Sequence, residues 1–157
     1  MKRHEDNESV DCHNRLFCAT TLFQIGKVQA REFEYAHATV ITESGISIPV
    51  EVSDTPEKRS LGLGKRDMLQ KDWGMLFVFQ KRIPHHFWMK DMRFPIDIIW
   101  IDNHRIVEMA ENIPPPEKDA SPKVLKPSYP SNFVLEIEAG RAKTLGLRMG
   151  QKLRYQF

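Results

Sequence analysis

Cysteine is nearly absent: the 157 residues hold two, Cys12 and Cys18, and the chain beyond them has none. That remainder therefore uses neither a disulfide nor a thiol nucleophile, and it suits either redox compartment. His4 and His13 lie nearby, but the five residues between the cysteines match no standard zinc spacing. Long apolar runs are missing too. None approaches the roughly 20 residues of a bilayer-crossing helix, so no transmembrane segment is expected. An excess of one charge is also lacking: net charge is +2, with acids interleaved among the bases. This leaves no broad footprint for a polyanion, and nucleic acid is not an expected partner. The exception begins at Ala139, where Arg141, Lys143, Arg148, Lys152 and Arg154 meet no acid. Without an interleaved aromatic platform, that stretch reads as a solvated surface.

Familiar catalytic signatures are lacking as well. There is no Gly-x-Ser-x-Gly elbow, and Gly62-Leu63-Gly64-Lys65 has neither the spacer nor the hydroxyl residue of a phosphate loop. His85 and His86 are adjacent, so in a strand they diverge and do not jointly clasp a metal. No cofactor and no metal are expected.

What is present fits one domain over 33–157 preceded by a leader over 1–32. The apolar share of 41% is that of a globular chain able to bury a single core. In the leader, Arg15 precedes the apolar stretch from Leu16 to Ile25, and Val28-Gln29-Ala30 follows. That is the order of a secretory signal, although Glu5, Asp6, Glu8 and Asp11 stand where positive charge belongs. The segment reads as a flexible tail or a degenerate signal-like leader. The expected location is periplasmic or secreted, or cytoplasmic if the leader does not function.

Within the domain, Ala38 to Thr42 and Ile46 to Val52 around Glu43-Ser44-Gly45 predict a hairpin. Asp54-Thr55-Pro56-Glu57 starts a helix that runs through Leu61 and is ended by glycine. Apolar runs at 73–79, 87–92 and 96–101 predict core strands, the last paired with 105–110 across a tight turn at Asp102-Asn103-His104. The segment from Pro114 to Pro130, with six prolines, reads as a surface loop. Phe133 to Ile137 is a strand, residues 139–145 a short helix closed by Gly146, and a strand with Leu153 and Tyr155 ends the chain. The fold class is mainly β (α+β): a small closed or strongly curved β-barrel-like domain with two short helices.

The stretch from Phe87 to Asp102 sets ionisable groups between runs too apolar to face water, and burying an unpaired charge there costs several kcal/mol. Lys90 and Asp97 are therefore expected to be partners of each other or parts of a site. In a strand Trp88, Lys90 and Met92 share one face. One reading is an aromatic-floored pocket in which Lys90, steered by Asp97 and by Arg59 or Glu111, grips an anionic group; the other is an internal ion pair that fixes strand register. The candidate ligand-binding residues are Arg59, Trp88, Lys90, Asp97 and Glu111. Asp102 reads as a turn residue. The expected function is a non-catalytic binding or accessory module for a small molecule or a protein. The alternative is a metal-independent hydrolase or transferase centred on Lys90 and Asp97.

Arg59 with Gly62-Leu63, Arg66, Gly74 to Phe79, Phe87-Trp88-Met89-Lys90, Pro95-Ile96-Asp97-Ile98-Ile99, Asp102, Phe133 to Gly140 and Gly150 form a wider pattern. Over 33–157 it closely resembles the bacterial family catalogued as domain of unknown function 192. The resemblance implies a β-rich, exported or lipid-anchored domain with no established activity. The chain departs from it at Gly64 in place of methionine, Met92 in place of threonine, Asn103-His104 in place of a glycine turn and Gln151 in place of an acid. The first departure is expected to loosen the helix end. The last is expected to weaken any shared ligand that the acid holds.

Overall fold

Described here by a computed structural model, residues 33–157 open with the expected hairpin, while the leader at 1–32, with both cysteines, lies outside the described residues. Strand β1 (Ala36–Ile41) pairs antiparallel with β2 (Ser47–Ser53), and Gly45 turns between them at φ 84°. Helix α1 (Pro56–Leu61) begins as its residues dictate. Thr55 Oγ1 accepts from the Lys58 amide at 3.3 Å, proline fills the first turn and Glu57 meets the positive end of the helix dipole.

Gly62 ends α1 at φ 53° and ψ −131°, a conformation that side chains resist, and a Cβ there would stand 3.1 Å from the Phe77 ring. Gly62→Ala is therefore expected to destabilise the domain by about 1–3 kcal/mol. Urea unfolding checks this, and an unchanged midpoint would show that the turn relaxes freely.

The remaining elements are β3 (Gly74–Ile83), β4 (Phe87–Trp88), β5 (Ile96–Asp102), β6 (Arg105–Ile113), β7 (Val124–Leu125), β8 (Ser131–Glu138), α2 (Arg141–Thr144) and β9 (Arg154–Gln156). Seven strands form one sheet in the order β6-β5-β8-β3-β2-β1-β9. All neighbours are antiparallel except β2 and β3, which α1 connects as a crossover. The two ends of the sheet meet at one corner: Arg105 bridges to Lys152, and the Ile106 amide donates to the Gln151 carbonyl at 3.0 Å. The result is a curled half-barrel, mainly β with two short helices.

Alternation divides the core between the two faces of the sheet. Leu76, Ile99, Ile101, Leu135 and Ile137 point to one cluster, while Met75, Phe77, Ile98, Trp100 and Val134 point to the other. Burial on both sides explains the unbroken apolar runs, and each such large side chain contributes about 1.5–3 kcal/mol.

Two elements differ from expectation. The strand expected over 87–92 stops at Trp88, because Asp91 takes a left-handed conformation at φ 58°. The proline-rich segment is not wholly irregular: its β7 pairs with β4 in a separate two-stranded ribbon. Phe87 anchors this ribbon on the sheet, with edge-to-face contacts to Phe77 at 4.9 Å and Trp100 at 6.1 Å.

Candidate functional site

Between α1, β3 and the β4 ribbon lies a cleft of about 230 Å³. Its walls are apolar, with Leu63, Phe77, Phe79, Phe87 and Met92 among them, and Arg59, Trp88 and Lys90 also line it. A second, more open groove of about 580 Å³ adjoins it and shares Pro56, Ser60, Leu61, Trp88 and Lys90.

Arg59 is held in place. Its Nη1 donates to the Asp54 carbonyl at 2.7 Å and the Val78 carbonyl at 2.9 Å, and its guanidinium lies 5.1 Å from the Phe79 ring centre. Lys90 follows β4 in an exposed turn, with Nζ 5.4 Å from the centre of the Trp88 ring. Trp88 itself is 48% exposed. Gly64 packs beneath this turn: its amide donates to the Leu61 carbonyl at 2.9 Å, and a Cβ would stand 3.3 Å from the Lys90 carbonyl oxygen. The helix end is thus closed rather than loosened.

The cleft also contains Glu136, from the middle of β8, which is only 4% exposed. Among the described residues its Oε2 has no hydrogen-bond partner. Register sets Glu136 opposite Met75, and Met75 opposite Glu51, so two buried carboxyl groups flank one methionine on the same face. Arg66 Nη2 donates to Glu51 at 2.5 Å and exerts a weaker pull on Glu136. Burial outweighs that pull and pushes the Glu136 carboxyl up to about 8, so near neutral pH it is mostly protonated and can donate a hydrogen bond. Directly above it is Gly62, whose missing Cβ would stand 3.9 Å from Oε2.

The structure thus brings together Arg59, Trp88 and Lys90 but not Asp97 or Glu111. Asp97, wholly buried, points to the opposite face of the sheet from Ile96 and Ile98. One carboxylate oxygen accepts from the Asn112 amide at 2.7 Å and the other from the Ala142 amide in α2 at 2.9 Å. The expected Lys90–Asp97 pair does not form. Glu111 is exposed on β6, where Glu111 and Asn112 bulge opposite Asp97. Gln151 does not line the cleft; its Oε1 accepts from the Arg148 amide at 3.2 Å in the turn after α2.

Glu136 was not singled out among the candidates from sequence. Its signal was available: an acid inside Phe133-Val134-Leu135-Glu136-Ile137, a strand apolar enough to be buried on both faces.

No curated protein matches the chain. Solved structures similar to it include two bacterial proteins. One, from Sinorhizobium meliloti and provisionally described as a transcription regulator, is 33% identical with a TM-score of 0.68; the match covers 80% of this chain and 98% of that one. The other, of unknown function and from Novosphingobium aromaticivorans, is 30% identical with a TM-score of 0.66, covering 76% of this chain and 84% of that one. The family described as Uncharacterized ACR, domain of unknown function 192, matches residues 39–155, and the chain belongs to that family.

Proposed function

We propose that the domain is a binding module that holds a small molecule in the cleft between α1, β3 and the β4 ribbon. One observation carries this reading: Glu136 stands almost fully buried beside the cleft with a carboxyl oxygen that has no partner among the described residues. Such an orphan costs about 1–3 kcal/mol, a cost that a ligand supplying the partner removes. The apolar walls and few polar groups of the cleft are those of a ligand site.

Native mass spectrometry of the full chain from its own host tests the proposal. A retained small molecule that is lost in Lys90→Met supports it. Bare protein in both samples, together with no thermal shift across a broad metabolite panel, overturns it. A hydrolytic or transferase centre on Lys90 and Asp97 lacks the convergence it needs, because both oxygens of Asp97 are engaged on the other face. Nor does the name given to the Sinorhizobium meliloti protein guide the reading, since the described helices span six and four residues and offer no recognition helix. We also propose that the chain is exported. An N-terminus near Arg31 in a periplasmic fraction supports export, and an intact Met1 in cytosol overturns it.

A further inference from the structure

We infer that the cleft selects a small monoanionic organic acid, its acid group met by Arg59 and Lys90 and an oxygen at its far end hydrogen-bonded by Glu136. This deepens the proposed function and rests on the cleft being a binding site.

The charges lining the cleft decide the sign of the ligand. Among the described residues Arg59 and Lys90 are its cations, and its one acid is Glu136. Among the described residues Lys90 makes no ion pair, so its ammonium is available to an anion. Both bases are more exposed than Glu136, so a cation entering the cleft meets repulsion more readily than the acid. A multiply charged anion is matched poorly, because Arg59 Nη1 already serves two carbonyl oxygens.

The inner end is decided by what surrounds Glu136. From β2 it is faced by Glu51, a like charge held by Arg66; from β3 and β5 its register neighbours are the apolar Met75 and Ile98. Arg59 of α1, Lys90 of the turn after β4 and His86 complete the titratable and charged groups of the cleft. With the nearby guanidinium engaged by Glu51, Glu136 is favoured as the neutral acid, and a neutral acid donates. Its ligand must therefore present an acceptor oxygen. Phe77, Phe79 and Phe87 line the same cleft and call for an apolar body.

Calorimetric titration of the full chain with 4-acetylphenylacetate, phenylacetate and 2-(4-acetylphenyl)ethylamine tests this, since the three share a ring and differ in its two ends, and the ketone oxygen accepts a hydrogen bond without being able to donate one. 4-Acetylphenylacetate is expected to bind, phenylacetate about tenfold more weakly, and the amine not measurably. Lys90→Met should weaken the keto acid several-fold. Raising the pH from about 6.5 to about 9 should weaken it about tenfold in the native chain, as Glu136 loses its proton, but hardly at all in Glu136→Gln, which keeps a neutral donor. Equal binding of phenylacetate, tighter binding of the amine, or the same pH profile in Glu136→Gln each overturns the ligand class while leaving the cleft a binding site. Failure of all three probes also overturns it, and the binding reading then stands or falls on the native mass measurement.

Discussion

Glu136→Gln is expected to make the domain more stable at neutral pH and to remove most of the fall in stability between about pH 5 and about pH 8. Unfolded, the carboxyl titrates near its ordinary 4.5; folded, burial pushes it up to about 8. Between those values the folded chain keeps a proton that the unfolded chain has released. Stability therefore falls as pH rises through the window and levels off once the folded carboxyl has ionised. A single group contributes at most about 1.4 kcal/mol per pH unit, so from about pH 6 to about pH 8 the native chain should lose about 2–3 kcal/mol more than the variant. Glutamine fills the same space and never ionises. Urea unfolding of both proteins at the two pH values reads the difference directly, and histidine titration cancels because it is common to both. Parallel losses would mean that Glu136 is ionised in the fold, which would also remove it as a hydrogen-bond donor in the cleft.

That prediction turns on a residue whose meaning only the fold supplies. Glu51 and Glu136 are each an acid within a β-branched or leucine-rich strand, and sequence alone gives no reason to prefer either. The sheet distinguishes them, because Arg66 reaches Glu51 at 2.5 Å and leaves Glu136 with an unpartnered oxygen. Elements built by neighbouring residues were legible. The β1–β2 hairpin, the Thr55-Pro56 start and Gly62 end of α1, the Asn103-His104 connection and the short α2 all follow from turn and cap chemistry within a few residues.

The cleft was legible in part. Trp88 and Lys90 stand out in the sequence because charge beside an apolar run is costly, and Arg59 lines the same cleft. The face on which Asp97 sits was not legible. In Ile96-Asp97-Ile98-Ile99-Trp100-Ile101 both faces are apolar, so no polar alternation marks which side belongs to which layer. The ribbon that carries Trp88 was hidden for another reason. Its two-residue strands are paired across a proline-rich segment, Phe87 with Leu125, and so short a pairing leaves almost no periodicity to read.

Asp97→Ala is expected to be the most damaging single substitution among the candidate residues, through stability and not through the cleft. Asp97 ties three segments together: its own strand β5, the bulge of β6 at Asn112, and the first turn of α2 at Ala142. Asn112 holds a left-handed conformation at φ 53°, and Gly140 caps α2 without any side-chain acceptor of its own. The carboxylate therefore supplies the acceptor that both backbone amides need. Removing it orphans the Ala142 amide in a buried place, at about 1–3 kcal/mol, and the part-buried Asn112 amide at about 1 kcal/mol, so a total loss of about 2–4 kcal/mol is expected. Asp97→Asn keeps one acceptor oxygen and sets an amide N–H against the other donor, for a loss of about 2–3 kcal/mol. Because Asp97 faces away from the cleft, Asp97→Asn that remains folded at low temperature should hold a cleft ligand as tightly as the native chain, whereas Lys90→Met should hold it several-fold more weakly with little change in stability. Thermal unfolding and titration at one temperature, run on both variants, separate the two roles. If Asp97→Asn were to keep its stability and lose the ligand, the division of labour between the two faces of the sheet would be wrong, and Asp97 would return to the site from which its two backbone hydrogen bonds exclude it.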